Sequence, residues 1–184
     1  FLSPKTIVPT GNQETIYAYS VVSLGDEPIV LKSIPNTLGF IADAWQRPIE
    51  DVGITGPDEG KGGEFLLVPP GYEGELPKEG YFVCESPTKN IWWLLRAMVK
   101  DGDTKAAVAT LRTARIYPLS KAGSPPKQQY LNFSGKTMRC IPPRGFEYWE
   151  KLAKVLVEEP VQERDRTMMG MAAHIGIEKG KPFK

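Results

Sequence analysis

Residues Gly63–Val99 read GEFLLVPPGYEGELPKEGYFVCESPTKNIWWLLRAMV, and this stretch decides the fold class. Three apolar runs, FLLV, YFVCES and IWWLLRAMV, alternate with the loops PPGYEGELPKEG and PTKN. Proline and glycine fall between the runs and not inside them, as a strand–turn–strand series requires. IWWLLRAMV is apolar on both faces except at Arg96, which shares one face with Trp92, Leu94 and Met98.

Working outward toward the N-terminus, Phe1 to Asn12 is expected to be extended, because Pro4 and Pro9 forbid a helix. Glu14 to Val22 predicts a strand, with Ile16, Ala18, Ser20 and Val22 on one face and Tyr17, Tyr19 and Val21 on the other. Pro28 to Ile34 and Leu38 to Trp45 predict two more strands, each preceded by a turn. Arg47 to Gly63 carries five glycines and two prolines and is expected to be a polar loop. A phosphate-binding reading of that loop fails, because Gly60-Lys61 is followed by Gly62 and position 55 is threonine.

On the C-terminal side, DGDTKAAVATLRTARIYPLS predicts a helix capped by Asp101 or Asp103 and ended by Pro118. Lys121 to Tyr130 reads as a linker. Gly145 to Val157 forms an amphipathic helix through Phe146, Trp149, Leu152, Ala153 and Leu156. Pro160 opens a further helix that stops near Gly176. The expected fold is therefore α+β, an antiparallel β-sandwich-like sheet body followed by about three helices. Residues 1–120 form the β-rich body with its following helix, and residues 121–184 the linker and a helical pair packed on it, one domain overall.

The bulk chemistry narrows the function classes. The 184 residues carry 23 basic and 22 acidic side chains, a net charge of +1. A nucleic-acid partner is not expected from so balanced a surface. No apolar run reaches the about 20 residues of a membrane span. With His174 the only histidine, a multi-histidine zinc site within the chain is excluded. Cys84 and Cys140 show no metal-ligand spacing and are read as buried free thiols, with one disulfide as the alternative. No cofactor is implied. The chain begins at Phe1 without a signal-peptide pattern and is read as a processed product or fragment.

Candidate chemistry is sparse. Glu14 and Asp43 sit at predicted strand ends and are the best pair of carboxylates for acid/base work on a glycosidic bond, if the fold brings them together. Arg96 calls for a carboxylate partner, with Asp43 or Glu14 the natural choices, or for an anionic ligand. Tyr17, Trp45 and Trp92 offer an aromatic platform for a sugar, or plain core. His174 is placed to cap a helix C-terminus. Asn132-Phe133-Ser134 matches a glycosylation acceptor triplet.

The ordered series TGPDEGKGGEFLLVPPGYEGELP, SPTKNIWWLLRAMVKDG and YPLS resembles the DUF1254 family, whose pattern includes "LLV-GP-GW-GELP" and "SPTN-VW-LLGR". NQETIYA is similar to the family's "PN-DTLYS", and FEYWEKLAKVLVEEP with HIGIEKGKPF to its closing helices. Glu14 stands where the family has aspartate, Ala18 where it has serine, and Ile54 where an arginine often precedes the Thr-Gly pair. The resemblance implies a companion domain of the DUF1214 type, a β jelly roll, in the same or a companion chain. It also implies an exported protein, secreted or periplasmic, forming a larger assembly or homo-oligomer, and a suggested place in glycan metabolism. The expected function is a non-catalytic β-rich module packing on that jelly roll; the alternative is a glycan-active hydrolase using carboxylates.

Overall fold

The structure is a computed structural model describing residues 14–131 and 141–183. Among the described residues, eight strands form two four-stranded sheets. The first runs β1 (Thr15–Ser23), β7 (Asn90–Met98), β3 (Thr37–Asp43), β4 (Pro48–Gly53). The second runs β6 (Phe82–Glu85), β5 (Glu64–Val68), β2 (Ile29–Lys32), β8 (Arg115–Pro118). All pairings are antiparallel except β5–β6. Three helices complete the described residues: α1 (Thr104–Leu111), α2 (Phe146–Glu158) and α3 (Arg166–Ala173). The α+β sandwich expected from the sequence is the fold observed.

The sheets meet over one core. Ile91, Trp93, Leu95 and Ala97 of β7 are buried, and they join Ile41, Val52, Phe65, Leu67 and Ile29 from strands of both sheets. The residues between them on β7 are half-buried or exposed, the period of two that a strand imposes. IWWLLRAMV is thus buried on one face and partly open on the other. Gly39 allows β3 to approach β7 closely, since a Cβ there would lie 2.1 Å from the Leu94 carbonyl oxygen. A smaller cluster, Val30, Leu66 and Tyr117, fills the other face of the second sheet beneath Leu76 and Tyr81 of the β5–β6 loop.

Three local expectations change. Pro48–Gly53, read as loop, is strand β4, laddered onto β3 with a bulge between Ile41 and Ala42. Arg115–Pro118, read as helix, is strand β8, because pairing with β2 sets Tyr117 opposite Val30 and buries its ring. The last helix begins at Arg166 and not at Pro160; a 3-10 turn over Glu163–Asp165 intervenes. The rest of the Gly-rich segment folds around Asp58. That buried side chain accepts the Gly53 N–H at 2.6 Å and the Ser33 hydroxyl at 3.1 Å. The amides of Gly56, Gly60, Lys61 and Gly63 bond inside the protein as well, so they present no nest for an anion. The N-terminal stretch expected to be extended, the Asn132 triplet and Cys140 lie outside the described residues.

Candidate functional site

One end of the sandwich gathers the polar residues. Register sets Ser23 opposite Asn90, and Asp43 opposite Ile91. The β3–β4 turn and the Ser86–Lys89 loop therefore emerge side by side, and the Ala44 N–H donates to Thr88 Oγ1 at 3.0 Å. Asp43 is buried and builds its own turn, with Oδ1 accepting the Trp45 and Arg47 N–H groups at 2.8 Å each. Its Oδ2 is buried without a hydrogen-bond partner among the described residues. Ser86 and Thr88, both buried, bond to the backbone of their own loop.

The segment after α2 grips this loop. Glu159 is 1% exposed, and its carboxylate accepts the Lys89 N–H at 2.6 Å, the Asn90 N–H at 3.1 Å and Asn90 Nδ2 at 2.7 Å. Gln162 Nε2 donates to the Pro87 carbonyl at 3.0 Å. Asp165 receives both arms of the Arg47 guanidinium, at 2.6 and 3.1 Å, the forked geometry that suits arginine and a carboxylate. The hydrogen bond from Arg47 holds the Asp165 carboxyl below its ordinary range. The Arg47 guanidinium is raised in turn, first by that bond and also by the charges of Asp165 and Asp43, against the cost of burial. Beside this junction lies an open cleft of about 510 Å³, bordered by Asp26, Pro69, Pro70, Tyr72, Glu73 and Lys89.

Other residues proposed from sequence lie apart. Glu14 precedes Thr15, which pairs with Met98, whereas Asp43 pairs with Ile91. Seven residues of β7 separate these positions, about 23 Å at strand rise. The structure does not bring the two carboxylates to one bond. Arg96 has no carboxylate within ion-pair distance among the described residues. Its guanidinium lies over the ring of Tyr17, directly opposite on β1, at 5.3 Å from the centroid. Trp92 stacks on Tyr19, its diagonal neighbour across the ladder, with ring centroids 6.3 Å apart. Tyr17 lies opposite Arg96, four residues along β7 from Trp92, and Trp45 is half-buried in the β3–β4 turn. His174 Nδ1 lies 2.8 Å from the Gly170 carbonyl oxygen at the end of α3. Cys84 is a buried free thiol, pushed up to about 12 by burial and secondarily by the Glu50 charge. Among the described residues no group of three or more His, Cys, Asp or Glu could hold a metal ion.

Glu159, Gln162 and Asp165 were not singled out in the sequence. The signal available was weak: a glutamate before Pro160, where a helix must stop.

The family model for proteins of unknown function, DUF1254, matches residues 2–118. The chain belongs to the DUF1254 family. Its matched region ends with β8, so the family pattern covers the sandwich, and the gripping segment lies beyond it. The crystal structure of the VPA0106 protein from Vibrio parahaemolyticus is similar in fold at a TM-score of 0.66 and 20% identity. The match covers 94% of this chain and 44% of that one, so this DUF1254 chain spans less than half the length of that protein. No curated protein matches. No helix among the described residues is long and apolar enough to cross a membrane.

Proposed function

We propose that this DUF1254 chain is a non-catalytic β-rich module that packs against a companion domain in a larger assembly. The observation that carries the reading is the apolar surface it turns outward. Tyr19, Val21 and Met98 on the outer face of the first sheet are exposed, as are Trp149, Met168 and Met171 on the helices. Large apolar side chains exposed in this number are surface that a partner would cover. The polar groups at the loop end support it too, because Glu159, Asp43 Oδ1, Ser86 and Thr88 are engaged in holding loops together. On this reading the companion is a β jelly roll of the DUF1214 type and the assembly an exported one, secreted or periplasmic, and the family resemblance is what supports both.

The experiment is the native mass of the protein purified from its source, with peptide mapping of its contents. A particle containing further β-rich sequence is expected. A monomer of 20.4 kDa refutes the reading.

The glycan-active alternative finds one foothold, the open cleft whose lining includes Asp26, Tyr72 and Glu73. Turnover of a glycan library that Asp26→Asn and Glu73→Gln each abolish would establish it in place of the first reading.

A further inference from the structure

Resting on that reading, we infer that the surface which takes the companion domain is the C-terminal arm, residues 146–183, and not the open face of the sheet. The arm is amphipathic yet its apolar side chains find little to cover them. Within α2 only Ala153 is buried, and α3 has no buried residue. Trp149 is 41% exposed, Met168 63% and Met171 61%, with Phe146 and Ile175 exposed as well. Burying one such side chain is worth about 1.5–3 kcal/mol, so leaving five open is a cost that a covered face recovers.

The arm's position is nevertheless fixed. Glu159, Gln162 and Asp165 bind it to the Ser86–Asn90 loop and to Arg47. Within the arm itself, Phe146 stacks on Phe183 at 5.3 Å, and Lys179 Nζ donates to the Glu159 carbonyl oxygen. Apolar helices tied at their base by polar anchors are partly preorganised for docking, since less ordering entropy remains to be lost.

The chemistry of the occupant follows from the charges. Residues 146–183 carry seven acidic and six basic side chains, interspersed. A helix that lies on an anionic lipid surface needs a basic polar face, and this arm has none. A near-neutral, methionine-containing apolar face suits a protein surface of similar character, because methionine adapts its shape to what it meets. Length selects the companion domain over a second copy. The fold match to the V. parahaemolyticus protein leaves about 11 residues of this chain unaligned, far fewer than the arm contains. Most of the arm thus lies within the match to a protein more than half of whose chain lies outside it.

The test compares hydrogen peroxide oxidation of methionines in the protein purified from its source and in the 184-residue chain alone. Sulfoxide formation follows exposure, and Met168 and Met171 are expected to oxidise about tenfold more slowly in the native assembly. Met98, on the sheet face, serves as the internal comparison. Trp149→Glu in the full native protein is expected to release the companion domain while leaving the melting temperature of the 184-residue chain unchanged. A larger native mass with Met168 and Met171 unprotected overturns the arm as the surface but leaves the companion-domain reading standing. A native monomer of this chain overturns both. A native particle made only of copies of this chain, or co-sedimentation of the 184-residue chain with phosphatidylserine vesicles, overturns the companion domain as occupant.

Discussion

Replacing Glu159 with alanine tests how the arm is held. The side chain is 1% exposed and accepts three N–H donors, from Lys89, Asn90 and the Asn90 amide. Hydrogen bonds to a carboxylate contribute about 1.5–3 kcal/mol each, and they are not additive within one network. Removing the shared acceptor strands donors that were buried, so about 3–5 kcal/mol of docking free energy is expected to disappear. The sandwich core contains none of these groups, so its unfolding should change little while the arm detaches. Amide hydrogen exchange at Lys89 and Asn90 reads this locally. At 1.4 kcal/mol per decade the loss corresponds to about 10²- to 4 × 10³-fold faster exchange. Glu159→Gln keeps one acceptor oxygen and is expected to fall between wild type and alanine. Exchange at both amides within about twofold of wild type in the alanine variant would refute the clamp, since that is a few tenths of a kcal/mol.

Asp58→Ala strips the acceptor from Gly53 N–H and the Ser33 hydroxyl, and should cost about 2–4 kcal/mol, read as a lower urea midpoint with an unchanged slope. An unchanged midpoint would show that the Gly-rich loop does not depend on it. Cys84, held at about 12 in the fold against 9.0 for a free thiol, should resist alkylation at pH 8 until the chain unfolds. Because its folded value is the higher one, the linked stability is complete below pH 9.0 and falls as pH rises toward 12; flat stability across that window contradicts it. Asp165 has the opposite sign. Its carboxyl is lowered from 3.8, so its contribution is present above that pH and is lost as pH falls through the depressed value, which Lys89 exchange in acid should report in wild type but not in Asp165→Asn. Arg96→Met removes a cation–π contact and should change stability by no more than about 1 kcal/mol; a loss several times larger would reveal an ion pair.

Local patterning along the chain was enough to specify the sandwich. FLLV, IWWLLRAMV and TIYAYSVVS declare themselves as strands because period-two patterning and punctuation by proline and glycine are properties of neighbouring residues. The amphipathic α2 is legible for the same reason, through its 3.6-residue spacing. Tertiary pairing decided what local chemistry left open. PIEDVG has almost no periodicity and becomes β4 through its ladder with β3. RIYP follows an alanine-rich helical run and becomes β8 because Val30 and Leu66 bury Tyr117. The site depended most on distance along the chain. Glu14 and Asp43 both stand at strand ends, and only the register of β7 between β1 and β3 puts them at opposite ones. Glu159 meets Lys89 and Asn90 across about 70 residues, a contact no local pattern encodes. The apolar face of α2 was readable in the sequence as a stripe; that this stripe is left largely open, held at its base by Glu159 and Asp165, was decided by the fold, because exposure is a property of what fails to pack against a surface.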